Sequence, residues 1–126
     1  MKLLLDTHVL LWVVADSPRI KAIHKRLLAA DNEVFFSVAS LWEIAIKTSL
    51  GKLQVDAAEI RETAFDSGFL ELPVLGQHAL HVGGLPWHHR DPFDRLLVAQ
   101  AAEEPMKLLT ADEQLLAYGG GQVELI

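Results

Sequence analysis

The sequence predicts an α/β fold, a mostly parallel sheet covered on both faces. Three observations predict it: short apolar runs alternate with longer helical patterns, the runs are apolar throughout rather than in period two, and turn signals separate them. The chain has 126 residues, which suits one domain spanning 1–126 and suffices for a core that needs no staple. With 51% hydrophobic and 22% charged residues it reads as globular rather than disordered. Cysteine is absent, which excludes disulfide frameworks, Cys-ligated zinc and thiol nucleophiles.

The elements follow in order. Residues 2–5 form a buried-strand pattern ending at Asp6, with a helix through His8 to Val14. Ser17-Pro18 caps the next helix, with Ile20, Ile23, Leu27 and Leu28 on one face and Asp31-Asn32 as its break. Val34 to Phe36 is a second strand, after which Ser37 caps a helix running to Leu50 and stopped by Gly51. Asp56 with Glu59 is a capping-box-like start for a helix ending near Gly68, and Phe69 to Leu72 is a third strand. A weaker helix covers Gln77 to Val82, and Gly83 to Arg90 reads as an exposed connection. Asp91-Pro92 opens a helix through Ala102, Lys107 to Leu109 is a fourth strand, and Asp112 to Tyr118 a short helix. The glycines 119–121 then turn the chain into a last strand, Val123 to Leu125.

The opening Met-Lys-Leu-Leu-Leu is too quickly interrupted, by Asp6 and His8, to read as a secretory signal. No apolar run approaches the roughly 20 residues that span a bilayer, so no membrane role and a cytoplasmic location are expected. The net charge of −6 weighs against a nucleic-acid partner unless the acids have a job of their own.

In parallel α/β sheets the ligand site lies beyond the carboxyl ends of the strands. Asp6 follows the first strand there, Ser37 the second, and Thr110 with Asp112 the fourth. Each acid has an alternative reading. Asp6 and Asp112 can be plain helix caps, and Asp91, just before Pro92, suits capping and leaves Asp94 free to face a ligand. Glu43 interrupts an apolar helix pattern, where it either faces a site or pairs with Lys47 at i,i+4. Together the acids would raise one another's pKa unless a cation neutralised them. Oxygen ligands without Cys or a His pair at helical spacing favour Mg²⁺ or Mn²⁺ over zinc, and much of the net charge is then that pocket.

Leu-Leu-Asp6-Thr7, Ser37 with Glu43-Ile44, Asp94-Arg-Leu-Leu-Val-Ala-Gln-Ala and Leu-Thr110-Ala-Asp112, in this order, resemble the PIN domain, and within it the VapC-type toxins of toxin–antitoxin pairs. The resemblance runs over essentially the whole chain. It implies a three-layer α/β/α fold with a parallel sheet of about four or five strands. It also implies an Mg²⁺- or Mn²⁺-dependent endoribonuclease that cleaves RNA through a metal-activated water. Asp6, Glu43, Asp94 and Asp112 match the family's four acids, with Asp6 and Asp94 as direct metal ligands, Glu43 and Asp112 orienting the water or holding a second ion, and Asp91 as either a fifth ligand or only a cap. Thr110 and Ser37 would fix carboxylates by hydrogen bonding, or simply cap. The resemblance further implies a homodimer and a cognate antitoxin that inserts a basic side chain into the acidic pocket.

Substrate phosphates need positive charge, for which Arg90 and Arg95 flank the Asp91/Asp94 turn, with His8, His88, His89 and Lys47 near. Trp87 either stacks on a base or packs on the core edge. Trp12 and Trp42 belong either to faces covered by another chain or to the core. A phosphatase of the haloacid-dehalogenase kind would need an acid at His8, and a dinucleotide site would need a glycine-rich turn after an early strand. The competing class is a non-cleaving PIN-like module that binds RNA or protein.

Overall fold

Each predicted strand is a short apolar run bounded by polar or turn residues, and all five pair. The computed structural model describes residues 1–126, with β1 (Lys2–Leu5), β2 (Glu33–Ser37), β3 (Leu70–Leu72), β4 (Lys107–Thr110) and β5 (Val123–Leu125). They form one sheet of order β3-β2-β1-β4-β5 in which every pairing is parallel. The helices are α1 (Thr7–Val14), α2 (His24–Leu28), α3 (Val38–Ser49), α4 (Ala57–Asp66), α5 (Gly76–Gly83) and α6 (Pro92–Glu103).

The period-two geometry of a strand divides β1 between two cores. Leu3 and Leu5 join Val9, Leu10, Ile44, Ile60 and Ala64 on one side, while Leu4 joins Leu97, Val98 and Ala101 on the other. Two helical layers thus sandwich the sheet, as the three-layer expectation requires. This also explains why β1 and β4 carry no polar alternation, since both faces of each are buried.

The caps are local. Ser37 Oγ accepts from Ala39 N–H, and α3 ends where Gly51 takes a left-handed φ of 75°. Asp91 caps α6 with Pro92 behind it, accepting from Phe93 and Asp94 N–H.

One helix differs from expectation. Instead of a continuous segment after Pro18, a 3-10 turn (Pro18–Ile20) precedes the five-residue α2. Ile20, Ile23 and Leu27 are buried, but Leu28 is 65% exposed. The i,i+3 step from Ile20 to Ile23 is met by a 3-10 turn as well as by an α-helix, and Ile23, at the start of α2, offers no capping side chain. No helix is long and apolar enough to cross a membrane.

Candidate active site

The strand order reverses around β1. The chain moves outward through β2 and β3, then returns to place β4 on the other side of β1, so the crevice at their carboxyl ends is the switch point of the sheet. Asp6 leaves β1 at this crevice, its N–H donating to Leu109 O at 3.0 Å. Its carboxylate caps α1, Oδ1 accepting from Val9 N–H at 3.0 Å, while Oδ2 accepts from the Thr110 hydroxyl across 104 positions of sequence. Thr110 Oγ1 in turn accepts from Asp112 N–H at 3.0 Å. One hydroxyl therefore couples the two acids that end β1 and β4.

Glu43 arrives from α3, which is tied to α1 by a buried Thr7–Ser40 hydroxyl bond of 2.9 Å. Although only 3% exposed, Glu43 is half-partnered: Oε2 takes the Lys47 ammonium at 2.6 Å, and Oε1 is buried with no partner at all. That pair at i,i+4 was one of two readings of the sequence, and the free oxygen leaves room for the other. Hydrogen bonding to Glu43 holds Lys47 above its usual pKa, with Asp91 and Asp94 adding to the effect.

Asp94 occupies the first turn of α6, where the backbone N–H groups and the helix dipole favour negative charge. Its carboxyl is nevertheless pushed up to about 7, first by burial and then by the charges of Asp91, Asp6 and Glu43. Burial also raises Asp6, against the opposing hydrogen bonds of Thr110 and Val9. These couplings bring Asp6, Glu43, Asp91 and Asp94 within electrostatic reach of one another.

Asp112 joins them through His89. Asp91 N–H donates to His89 Nδ1 at 3.0 Å, so the neutral ring carries its proton on Nε2, which donates to Asp112 Oδ2 at 2.9 Å. The same nitrogen lies 3.5 Å from Asp94 Oδ2. Asp112 Oδ1 caps the following 3-10 helix by accepting from Gln114 N–H. A cleft of about 290 Å³ opens here, lined by Asp6, Asp94 and Asp112 together with His8, Trp12 and Arg19.

The donor set suits a hard divalent cation. It is made of carboxylates, one of them orphaned at Oε1 and one pushed up to about 7 by burial and then by neighbouring acids, and a cation would relieve both. His89, Asp94 and Asp112 also present ligand atoms within 4.8 Å of each other. The Asp91 bond to Nδ1, however, directs the ring proton toward Asp112, so His89 serves as a clamp there and not as a ligand.

Two expected site residues lie elsewhere. Ser37 Oγ donates to Gln100 Oε1 at 2.6 Å and caps α3, so it faces α6 and fixes no carboxylate. Arg95 is only 3% exposed; its guanidinium donates to Pro86 O, Val82 O and Tyr118 Oη and lies 3.9 Å from the centre of the Trp87 ring. A cation so completely used by carbonyls anchors the 83–90 connection and is unavailable to substrate. That connection is therefore ordered from beneath, while Trp87 remains 77% exposed and Arg90 reaches solvent. Arg19 escaped the sequence reading. Its only signal was a cation following Ser17-Pro18, and nothing in the sequence indicates that this turn folds back over the end of β1.

The sequence matches the family model described as the PIN domain over residues 3–121. No curated protein matches it significantly. Among solved structures it resembles VapBC2 from Rickettsia felis bound to a DNA fragment from their promoter, with a TM-score of 0.75 and 17% identity over 99% of this chain and 98% of that one. It also resembles VapBC-1 from nontypeable Haemophilus influenzae, at 0.70 and 20% over 98% and 97%. A toxin–antitoxin complex from Klebsiella pneumoniae aligns at 0.62 and 18% over 96% and 94%. At these identities the likeness is one of fold.

Proposed function

The chain belongs to the PIN-domain family, and from that premise we propose that it is a single-domain toxin of a toxin–antitoxin pair, an endoribonuclease dependent on Mg²⁺ or Mn²⁺. The observation that carries the reading is the meeting of Asp6, Asp94 and Asp112 in one cleft, with Glu43 close enough for its charge to act on Asp94; burial first, and then the charges of Asp91, Asp6 and Glu43, push the Asp94 carboxyl up to about 7. Such a concentration of carboxylates, only partly compensated by Lys47 and by hydrogen bonds, is costly unless a cation answers it. The VapBC structures of the same fold support the toxin assignment and a cognate antitoxin as partner.

A divalent cation in this cleft would polarise a phosphate oxygen and lower the pKa of a water beside it. Asp6 and Asp94 are the proposed ligands. Thr110 holds one oxygen of Asp6, so that this carboxylate cannot swing away. Glu43 is assigned to the water: Lys47 fixes Oε2, and the unpartnered Oε1 is the acceptor for the proton released on attack. Asp112, clamped between His89 and Gln114 N–H, would complete the cage or hold a second ion. Asp91 spends Oδ1 on capping α6 and contributes charge more than ligation.

Protein partners have a surface to use. Trp42 is 61% exposed, packs edge-on against Phe93 at 5.2 Å, and opens an apolar depression with Ala79, Val82 and Leu96. Trp12, by contrast, packs against the core. A second copy of the chain and the antitoxin are the proposed occupants of apolar surface.

The deciding assay pairs wild type with Asp6→Asn on single-stranded RNA across a metal titration. Wild type is expected to cleave with Mg²⁺ or Mn²⁺ and to stop in EDTA, and the variant to lose cleavage while keeping its melting temperature. Equal cleavage by both would expose a contaminant. Tight RNA binding without cleavage on many substrates would favour the non-cleaving module.

A further inference from the structure

An acidic cleft that handles a polyanion must also hold the strand, and several of the chain's cations are committed elsewhere. Lys47 is bound to Glu43, Arg26 and Lys107 to Glu124, and Arg61 to Glu71, while Arg95 is buried among carbonyls. Among the residues that line the cleft, Arg19 is the cation. It lines the same cleft as Asp6, Asp94 and Asp112, yet forms no ion pair with any carboxylate.

Its backbone is anchored and its exposed side chain rests on an aromatic ring. The turn Pro18–Ile20 is capped by Ser17, whose Oγ accepts from Arg19 N–H at 3.2 Å, and the next residue, Ile20, is buried in the core. The guanidinium carbon lies 4.8 Å from the centre of the Trp12 ring, and Trp12 is itself packed against the core. The His8 ring stands 6.2 Å from Trp12, extending this aromatic wall along the cleft. An arginine seated on an aromatic face keeps its charge and the donors at its edge, in a planar fork that fits a phosphate.

We infer that Arg19, seated on Trp12, grips a non-scissile phosphate of the RNA strand beside the bond being cut. The inference rests on the ribonuclease reading above and deepens it. The carboxylate cage attends to the scissile phosphate. Arg19 holds a neighbouring one, which sets the register of the strand and offsets the cleft's repulsion for it.

The test measures cleavage of a labelled single-stranded RNA with Mg²⁺ by wild type, Arg19→Ala and Arg19→Lys across a range of salt. Loss of one charge-assisted phosphate contact is expected to raise KM about tenfold with kcat changed less than about twofold. The dependence of log kcat/KM on log salt should become shallower by about one. Arg19→Lys, which keeps the charge without the planar fork, should recover part of the KM and most of the salt slope. Unchanged KM and slope in Arg19→Ala, with wild type active, would overturn this inference alone. So would a lowered melting temperature with equal damage in both variants, which would make Arg19 a structural prop. Wild type that cleaves nothing with either metal would take down the ribonuclease reading and this inference with it.

Discussion

Two buried polar groups in this molecule are built from similar side chains and treated in opposite ways. Between α5, α6 and the end of β2, Ser37 donates to Gln100 Oε1 at 2.6 Å and Gln100 Nε2 donates to Pro73 O at 3.2 Å. Leu75 N–H donates to His78 Nδ1 at 3.0 Å, and His78 Nε2 meets Glu104 at 2.5 Å. Along this seam donors face acceptors, and it joins three elements. At the ends of β1 and β4 the acids are instead gathered against their own charge, with Glu43 Oε1 left unpartnered. The contrast between the two groups is what the proposed cation would explain, since it would answer the charge that the fold itself leaves unpaired.

The comparison can be broken at several points, beginning with the largest effect. Asp94→Asn should lower cleavage on the order of a thousandfold or more, as loss of one member of a cooperating site does. Steady-state kinetics on RNA would show it, and a near-normal rate would remove Asp94 from the chemistry. Thr110→Val takes away the donor that steadies Asp6, and metal affinity should fall about 10- to 100-fold. Calorimetric titration with Mn²⁺ would measure that change, and an unaltered affinity would reduce Thr110 to packing.

Gln100→Leu strikes the satisfied seam instead. It strands Ser37 Oγ and Pro73 O, so urea unfolding should report a loss of about 2 kcal/mol. Its kcat should stay near wild type where the protein is folded. A large kcat defect with normal stability would mean that the seam and the cleft are not separate.

The smallest effect is one of pH. Burial and then neighbouring acids push the Asp94 carboxyl up from 3.8 to about 7 on folding, so between these values the native state binds more protons than the unfolded one. Its contribution to stability is then complete below the unfolded value and is lost as pH rises through the folded one. In EDTA, Asp94→Asn should therefore gain on wild type as pH rises, reaching a melting temperature roughly 3–6 °C higher above pH 7, the shift produced by about 1 kcal/mol. Mg²⁺ should close that gap by stabilising wild type. Parallel melting curves across pH would show that neither burial nor the neighbouring acids hold Asp94 against its charge.

The strands, the caps at Ser37 and Asp91 and the stop at Gly51 depend on residues adjacent in sequence, and could be read from periodicity and turn chemistry. The break between the Pro18 turn and α2 could not, because Ile20, Ile23 and Leu27 bury equally well from either geometry. Among the candidate site residues, Asp6, Asp94 and Asp112 were legible as acids at strand ends or a helix start, and Glu43 as a charge interrupting the apolar pattern of α3. Arg95 lies away from the substrate role expected for it because its neighbours in sequence are acids while its neighbours in space are carbonyls; of the two readings of Ser37 the structure shows the cap, with its hydroxyl turned to Gln100.

By itself, then, the sequence determined the α/β architecture and which carboxylates were candidates, since hydrophobic period and capping act over a few residues. Only the tertiary structure decided which side chains face the cleft. Parallel strand order sets positions 6 and 110 side by side across the sheet, turns Arg95 inward under Trp87, and brings Arg19 back over the end of β1. Electrostatic repulsion and the hydrogen bonds that steady it are long-range in sequence, and they exist only once the chain has closed.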